Sequence, residues 1–164
     1  MDTKTASTKM QSILKLFDLH TTFFKKALVD ITDKDAHNRL NTKANHMAWL
    51  SGSLVSQRYS MAKDIGIELK QAGEELFKDH KGIQDNVSYP AIAQYLEDWD
   101  TITPQARKAI TNITDEKLND IIDMGDMKMP LYDLITFTIY REASCIGQLA
   151  LWRRLLGYDA LKYD

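Results

Sequence analysis

At 164 residues the chain has the length of one domain, since single folding units usually run to about 100–200 residues. Seven glycines and three prolines are about half the usual frequency, too few turn formers for a sandwich of many short strands. A balance of 21 basic against 23 acidic side chains, net −2, argues against binding to nucleic acid or anionic membrane driven by phosphate charge.

The hydrophobic fraction of 44% suffices for a sizeable core. From Met10 to Val29, apolar residues recur at Ile13, Leu14, Leu16, Phe17, Phe23, Phe24 and Leu28, predicting a helix that ends at the polar cluster Thr32, Asp33, Lys34 and Asp35. A second long helix is expected from about Leu40 to Ile65, closed by Gly66. Ile67 to Phe77 reads as a shorter, partly exposed helix, and Lys81 to Ser88 as a loop. Pro90 suits a first helical position and opens a third helix over Ala91 to Ile102. Thr103-Pro104 predicts a kink or restart of that helix. Thr114 caps a short helix through Ile122, and Met124 to Pro130 reads as a loop. The last long helix runs from Leu131 to Leu156, before Gly157. The sum is an all-α chain, one helical domain over 1–164, built around four long helices in an antiparallel bundle with short extra helices.

No stretch approaches the roughly 18 uninterrupted apolar residues of a membrane span; Arg141 and Glu142 interrupt even the richest region. The polar N-terminus, Met1 to Gln11, has no apolar core of a secretory signal. The single cysteine, Cys145, has no partner for an internal disulfide. A cytoplasmic protein is the expectation.

The last helix places Leu131, Leu134, Thr138, Cys145, Leu149, Trp152 and Leu156 on one stripe, with Arg141 at its edge. Arg141 and Cys145 are i and i+4 neighbours that can present two side chains to one point, and Gln148 follows on the same side. The second long helix has an apolar face of Leu40, Ala44, Met47, Leu54 and Met61. His46, Trp49, Ser53, Gln57 and Ser60 line the other side, where the tryptophan suggests that a partner, another helix or a cavity covers it.

These two helices carry a resemblance. The run Asn45-His46-Met47-Ala48-Trp49-Leu50-Ser51-Gly52-Ser53-Leu54 is similar to the second-helix signature N-H-x-A-W-L-x-G-H-L of the DinB-like (DinB/YfiT) superfamily. Arg141-Glu142-Ala143-Ser144-Cys145-Ile146-Gly147-Gln148-Leu149, continued by Arg153-Arg154-Leu155-Leu156-Gly157, resembles its closing motif H-E-x-x-H-x-G-Q-L followed by R-x-L-G. The resemblance covers nearly the whole chain. It implies a four-helix bundle with an up-down-down-up arrangement, a homodimer, and in many relatives a divalent zinc or nickel ion held by three histidines. Several such relatives are thiol-dependent transferases or metal-dependent hydrolases.

The three histidine positions fall here on Ser53, Arg141 and Cys145. A catalytic zinc site takes about three protein ligands of imidazole, thiolate or carboxylate type, and of these three only Cys145 qualifies. The Arg141 guanidinium stays protonated and repels a cation at the same point. The expectation is therefore no metal and no cofactor, and a non-catalytic small-molecule-binding or dimeric interaction protein. Within it, two readings of the pocket stay open. Arg141 can replace the metal's charge and hold a small anionic ligand, with Ser53 and Gln148 as hydrogen-bonding neighbours; or the pocket is closed, with Arg141 paired to Glu142 or another acid. The competing class is an enzyme, a thiol transferase or hydrolase working through Cys145 or through a metal site rebuilt from His46, Glu142 and Cys145. His20, His37 and His80 read as isolated surface residues. The acid pairs Glu74-Glu75, Glu97-Asp98 and Asp115-Glu116 read as solvated faces, and Met124, Met127 and Met129 as a pliable loop that could cover a pocket or a dimer seam.

Overall fold

The computed structural model describes residues 4–164; the first three residues of the polar N-terminus, on which the expectation about a leader partly rests, lie outside the described residues. The chain is mostly helical. Four long helices dominate: α1 (Met10–Ala27), α3 (Met47–Asp64), α4 (Ile92–Asn112) and α6 (Leu131–Leu155), with the single-turn helices α2 (Asp33–Ala36) and α5 (Asp115–Leu118) between them. The two ends of α1 and α6 agree with the apolar periodicity to within two residues. No helix among the described residues is long and apolar enough to cross a membrane.

α1 packs on α4 and α6, and α3 packs on the same two helices. Phe17 and Phe24 of α1, Leu50, Leu54 and Met61 of α3, Tyr95, Trp99 and Ile102 of α4, and Leu149 of α6 are all essentially without solvent contact in the shared core. Their removal from water supplies the main favourable term, about 1.5–3 kcal/mol for each large side chain.

Five local expectations are corrected. The second long helix starts seven residues later than the pattern suggested, because Leu40 and Asn41 take left-handed backbone angles, φ 48° and 59°; Leu40 and Ala44 are exposed and form no helical face. His46 is the cap instead, its Nδ1 accepting the amide of Trp49 at 3.0 Å. Ile67 to Phe77 is not an α-helix: only one 3-10 turn, Glu74–Leu76, forms there, after Gly73 at φ 69°. The third long helix runs unbroken through Pro104. Pro104 and Asp100, one turn before it, are both exposed, so the carbonyl deprived of its amide partner can turn to water. Finally, the short helix expected through Ile122 ends at Leu118, and its expected last residues join part of the expected loop in a small antiparallel ribbon, β1 (Ile121–Asp123) with β2 (Lys128–Pro130), in register Ile122 to Met129. Its turn is closed by Met124 N–H donating to the Met127 carbonyl at 2.9 Å and by Gly125 at φ 84°, a conformation that costs glycine nothing.

α3 is buried on more than the one face expected of it. Trp49, Ser51, Gly52, Val55, Arg58 and Tyr59 are buried alongside Met47, Leu54 and Met61. The segment after α3 returns over the helix, and Phe77 meets Trp49 with ring centroids 6.1 Å apart. Of the coverings the tryptophan had suggested, a partner, another helix or a cavity, the chain's own returning segment supplies one. Gly52 makes this close return possible: a Cβ there would overlap the Phe77 ring and the Tyr95 hydroxyl.

Candidate functional site

The centre of the protein holds a charge. Arg58 sits on α3 one turn from Leu54 and from Ala62, in the middle of the buried stripe, and its side chain has no exposure to solvent. Its Nε donates to Glu142 Oε1 and its Nη2 to Glu142 Oε2, both at 2.7 Å. Nη1 donates to the hydroxyls of Thr21 and Thr103, each at 2.9 Å. The guanidinium lies between two aromatic rings, 3.9 Å from the centroid of Phe17 and 3.4 Å from that of Trp99, where the ring faces attract the cation. Glu142 Oε2 also accepts from His20 Nδ1 at 3.3 Å. The cluster thus draws a member from each long helix.

Every partner is needed because an unpaired buried charge costs several kcal/mol. Burial works to raise the carboxyl of Glu142, but the Arg58 charge and the hydrogen bonds from His20 and Arg58 overcome it and hold the group below the usual glutamate range. Glu142 is therefore an anion whose two oxygens are already taken. His20 is buried too, contrary to its expected surface position. Asp98 likewise leaves the expected solvated face: it is buried and accepts the Ala72 amide at 2.8 Å. His37 and His80 are exposed as expected.

The three positions that the resemblance aligns with histidines present a different picture. Ser53 on α3 and Arg141 on α6 are half-buried, and Cys145 is buried. Arg141 Nε donates to Gln57 Oε1 at 3.4 Å, which joins two of the residues expected to line a pocket. Arg141 does not pair with Glu142, whose oxygens face Arg58 and His20. Burial pushes the Cys145 thiol up, against the opposing pull of the Arg141 charge, so the thiolate that a nucleophile or metal ligand requires is disfavoured. Gln148 is exposed and turns its amide to the Ser144 carbonyl of its own helix, 3.5 Å away. Trp49 Nε1, Ser51 Oγ and Tyr95 Oη are buried without a hydrogen-bond partner among the described residues.

A rebuilt metal site from His46, Glu142 and Cys145 is not assembled. His46 is committed to capping α3, and burial followed by repulsion from His37 lowers its pKa to about 4; Glu142 is committed to Arg58. Among the described residues no group of three histidine, cysteine or carboxylate side chains could hold a metal ion.

Two hollows open elsewhere. One of about 320 Å³ lies at Ile65, Ala109 and Ile113, beside the ends of α3 and α4. The other, about 200 Å³, lies between α1, α6 and the C-terminal tail, where His20 reaches its wall. Neither is lined by Ser53, Arg141 or Cys145.

Arg58 is the residue that pattern reading missed. A signal existed: Arg58 on α3 and Glu142 on α6 each interrupt an apolar stripe at core spacing, with opposite charges. Comparison of the chain with protein-family models and with curated proteins finds no match to either.

Proposed function

We propose that this chain is a DinB-like four-helix bundle, up-down-down-up, in which the metal triad has been replaced and which binds a small carboxylate at Arg141 without catalysing a reaction. The observation that carries the reading is the state of Arg141. Arg58, Arg107 and Arg39 each meet a carboxylate, and Arg153 is wrapped by the carbonyls of Ala27, Val29 and Asp159. Among the described residues Arg141 meets only the neutral amide of Gln57, in a half-buried position. A guanidinium left with open donors and a partly dehydrated charge is a strong point of attachment for a carboxylate. Ser53 and Gln57 stand on the facing helix as further polar groups. The raised thiol of Cys145 supports the non-catalytic part of the reading.

Titration with acetate and benzoate tests it. The native chain binds one of them with an affinity that falls as salt is raised, and Arg141→Leu abolishes that binding while the urea midpoint stays within experimental error. Equal binding by Arg141→Leu refutes the assignment.

A further inference from the structure

We propose that the outer face of α6 pairs this chain with a second copy of itself, the two helices antiparallel about a two-fold axis that passes between Ala143 and Ser144.

This face is unlike the other water-facing sides of the bundle. α4 presents Glu97, Asp100 and Lys108 to solvent, as the outer side of a surface helix ordinarily does. Among the described residues, the exposed positions of α6 between Asp133 and Arg154 carry no charge at all. Phe137, Tyr140 and Leu151 stand there instead, with Leu155 one turn further on, all four about half exposed or more. Their spacing of three and four residues keeps them on one side of the helix. Tyr140 leaves 67% of its surface open, and its ring lies 6.4 Å from that of Phe137. The patch continues onto α1 and the C-terminal tail, where Leu19, Phe23 and Tyr163 surround an open hollow over Ala143 and Gly147. Six large side chains, Leu19, Phe137, Tyr140, Leu151, Leu155 and Tyr163, are exposed here. At roughly 100 Å² each they offer about 600 Å², the upper end of what a monomer shows and close to the share of about 800 Å² that each partner brings to a standard interface.

The occupant follows from the order of residues along the helix, which is its own complement. Reversal about the point between Ala143 and Ser144 exchanges Asp133 with Arg154, Thr136 with Leu151, and Tyr140 with Gly147. Two copies laid antiparallel therefore set the acid of one level with the base of the other at both ends, a match of opposite charges at the rim. Both groups are free to make it: Asp133 has no ion-pair partner among the described residues, and Arg154 spends one donor on the Tyr158 carbonyl. The same operation lays each Tyr140 ring over the other copy's hollow of about 200 Å³. Only Ala143 and Ser144 meet at the crossing, where small side chains let two helices approach closely. A two-fold interface requires this kind of self-match; a parallel pairing would set Asp133 against Asp133. Met124 and Met127 are exposed as well, but Asp123, Asp126 and Lys128 interrupt that turn, so the seam belongs to α6. Arg141 is turned toward Gln57 of α3, and the carboxylate reading stands or falls separately.

Sedimentation equilibrium of the full chain at micromolar concentration is the test, and twice the 18.8 kDa chain mass is the expected result. Leu151→Glu should weaken the dimer at least roughly tenfold with an unchanged circular dichroism spectrum, because that side chain is already 59% exposed. Asp133→Arg and Arg154→Asp should each weaken it about three- to tenfold, and the two together should recover most of the loss, since the exchange restores both rim pairs. Ser144→Cys, beside the axis, should cross-link two chains on mild oxidation, whereas the native chain with its buried Cys145 should not. A monomer throughout, a dimer indifferent to Leu151→Glu, charge variants without mutual recovery, or a Ser144→Cys dimer that fails to cross-link would each overturn the proposal.

Discussion

Arg58 and Glu142 join the middles of α3 and α6 through two parallel hydrogen bonds of 2.7 Å, with neither side chain open to solvent. Both charges have lost their hydration, and each is compensated chiefly by the other. Arg58→Met or Glu142→Leu alone leaves one uncompensated charge in the core and should cost about 3–5 kcal/mol. The double variant removes both charges and should recover most of that loss, because an apolar pair of similar volume carries no desolvation penalty. Urea melts of the four proteins form the double-mutant cycle that checks this; additive losses would contradict it.

Stability should fall on mild acidification, and His46 is the reason. Its pKa in the folded chain is about 4 against an ordinary value of 6.5, through burial and then the nearby His37. Between these values the unfolded chain takes up a proton that the folded chain refuses, so the stability present above pH 6.5 is lost as the pH drops toward 4. Below that window Glu142, whose pKa is also depressed on folding, extends the loss further into acid. Asparagine caps helices as well as any residue, so His46→Asn should keep α3 capped and flatten the slope between pH 6.5 and 4. Melting temperatures across that range measure it.

Gly52→Ala should destabilise the protein by about 1–3 kcal/mol, the usual cost of forcing a methyl group into filled space. The helix would gain from alanine in an open setting, but here the new Cβ collides with the Phe77 ring and the Tyr95 hydroxyl. Gly147→Ala makes a control on α6, where nothing lies within 4 Å of the added Cβ, and should be neutral or stabilising. Thermal melts that rank the two variants the other way would contradict the packing described for the returning segment.

The resemblance to the DinB-like superfamily has its own test. Ser53→His, Arg141→His and Cys145→His introduced together should create a tight, stoichiometric site for zinc or nickel, because three imidazoles at one point meet the usual requirement. Elemental analysis of the purified triple variant gives the answer. A variant without metal would show that the three positions do not converge as the resemblance implies.

Much of the secondary structure is written locally. The apolar periods of α1 and α6, the Thr114 cap, whose hydroxyl accepts the Lys117 amide, and the stops at Gly66 and Gly157, both at positive φ, depend on neighbours within a few residues, and so the chain alone determines them. The unbroken α4 and the short ribbon needed the tertiary structure: whether Pro104 breaks a helix depends on where the freed carbonyl points, and a three-residue strand exists only against its partner. The same division governs function. That Ser53, Arg141 and Cys145 align with the histidines of the DinB-like signature is a reading of the sequence alone. That Glu142 belongs to Arg58 and His20 rather than to Arg141 is not, because His20, Arg58 and Glu142 stand on three helices separated by long stretches of chain. The core spacing of Arg58 and Glu142 hints at burial but does not name their partners, and only packing α1, α3 and α6 together removes the water that would otherwise have kept them apart.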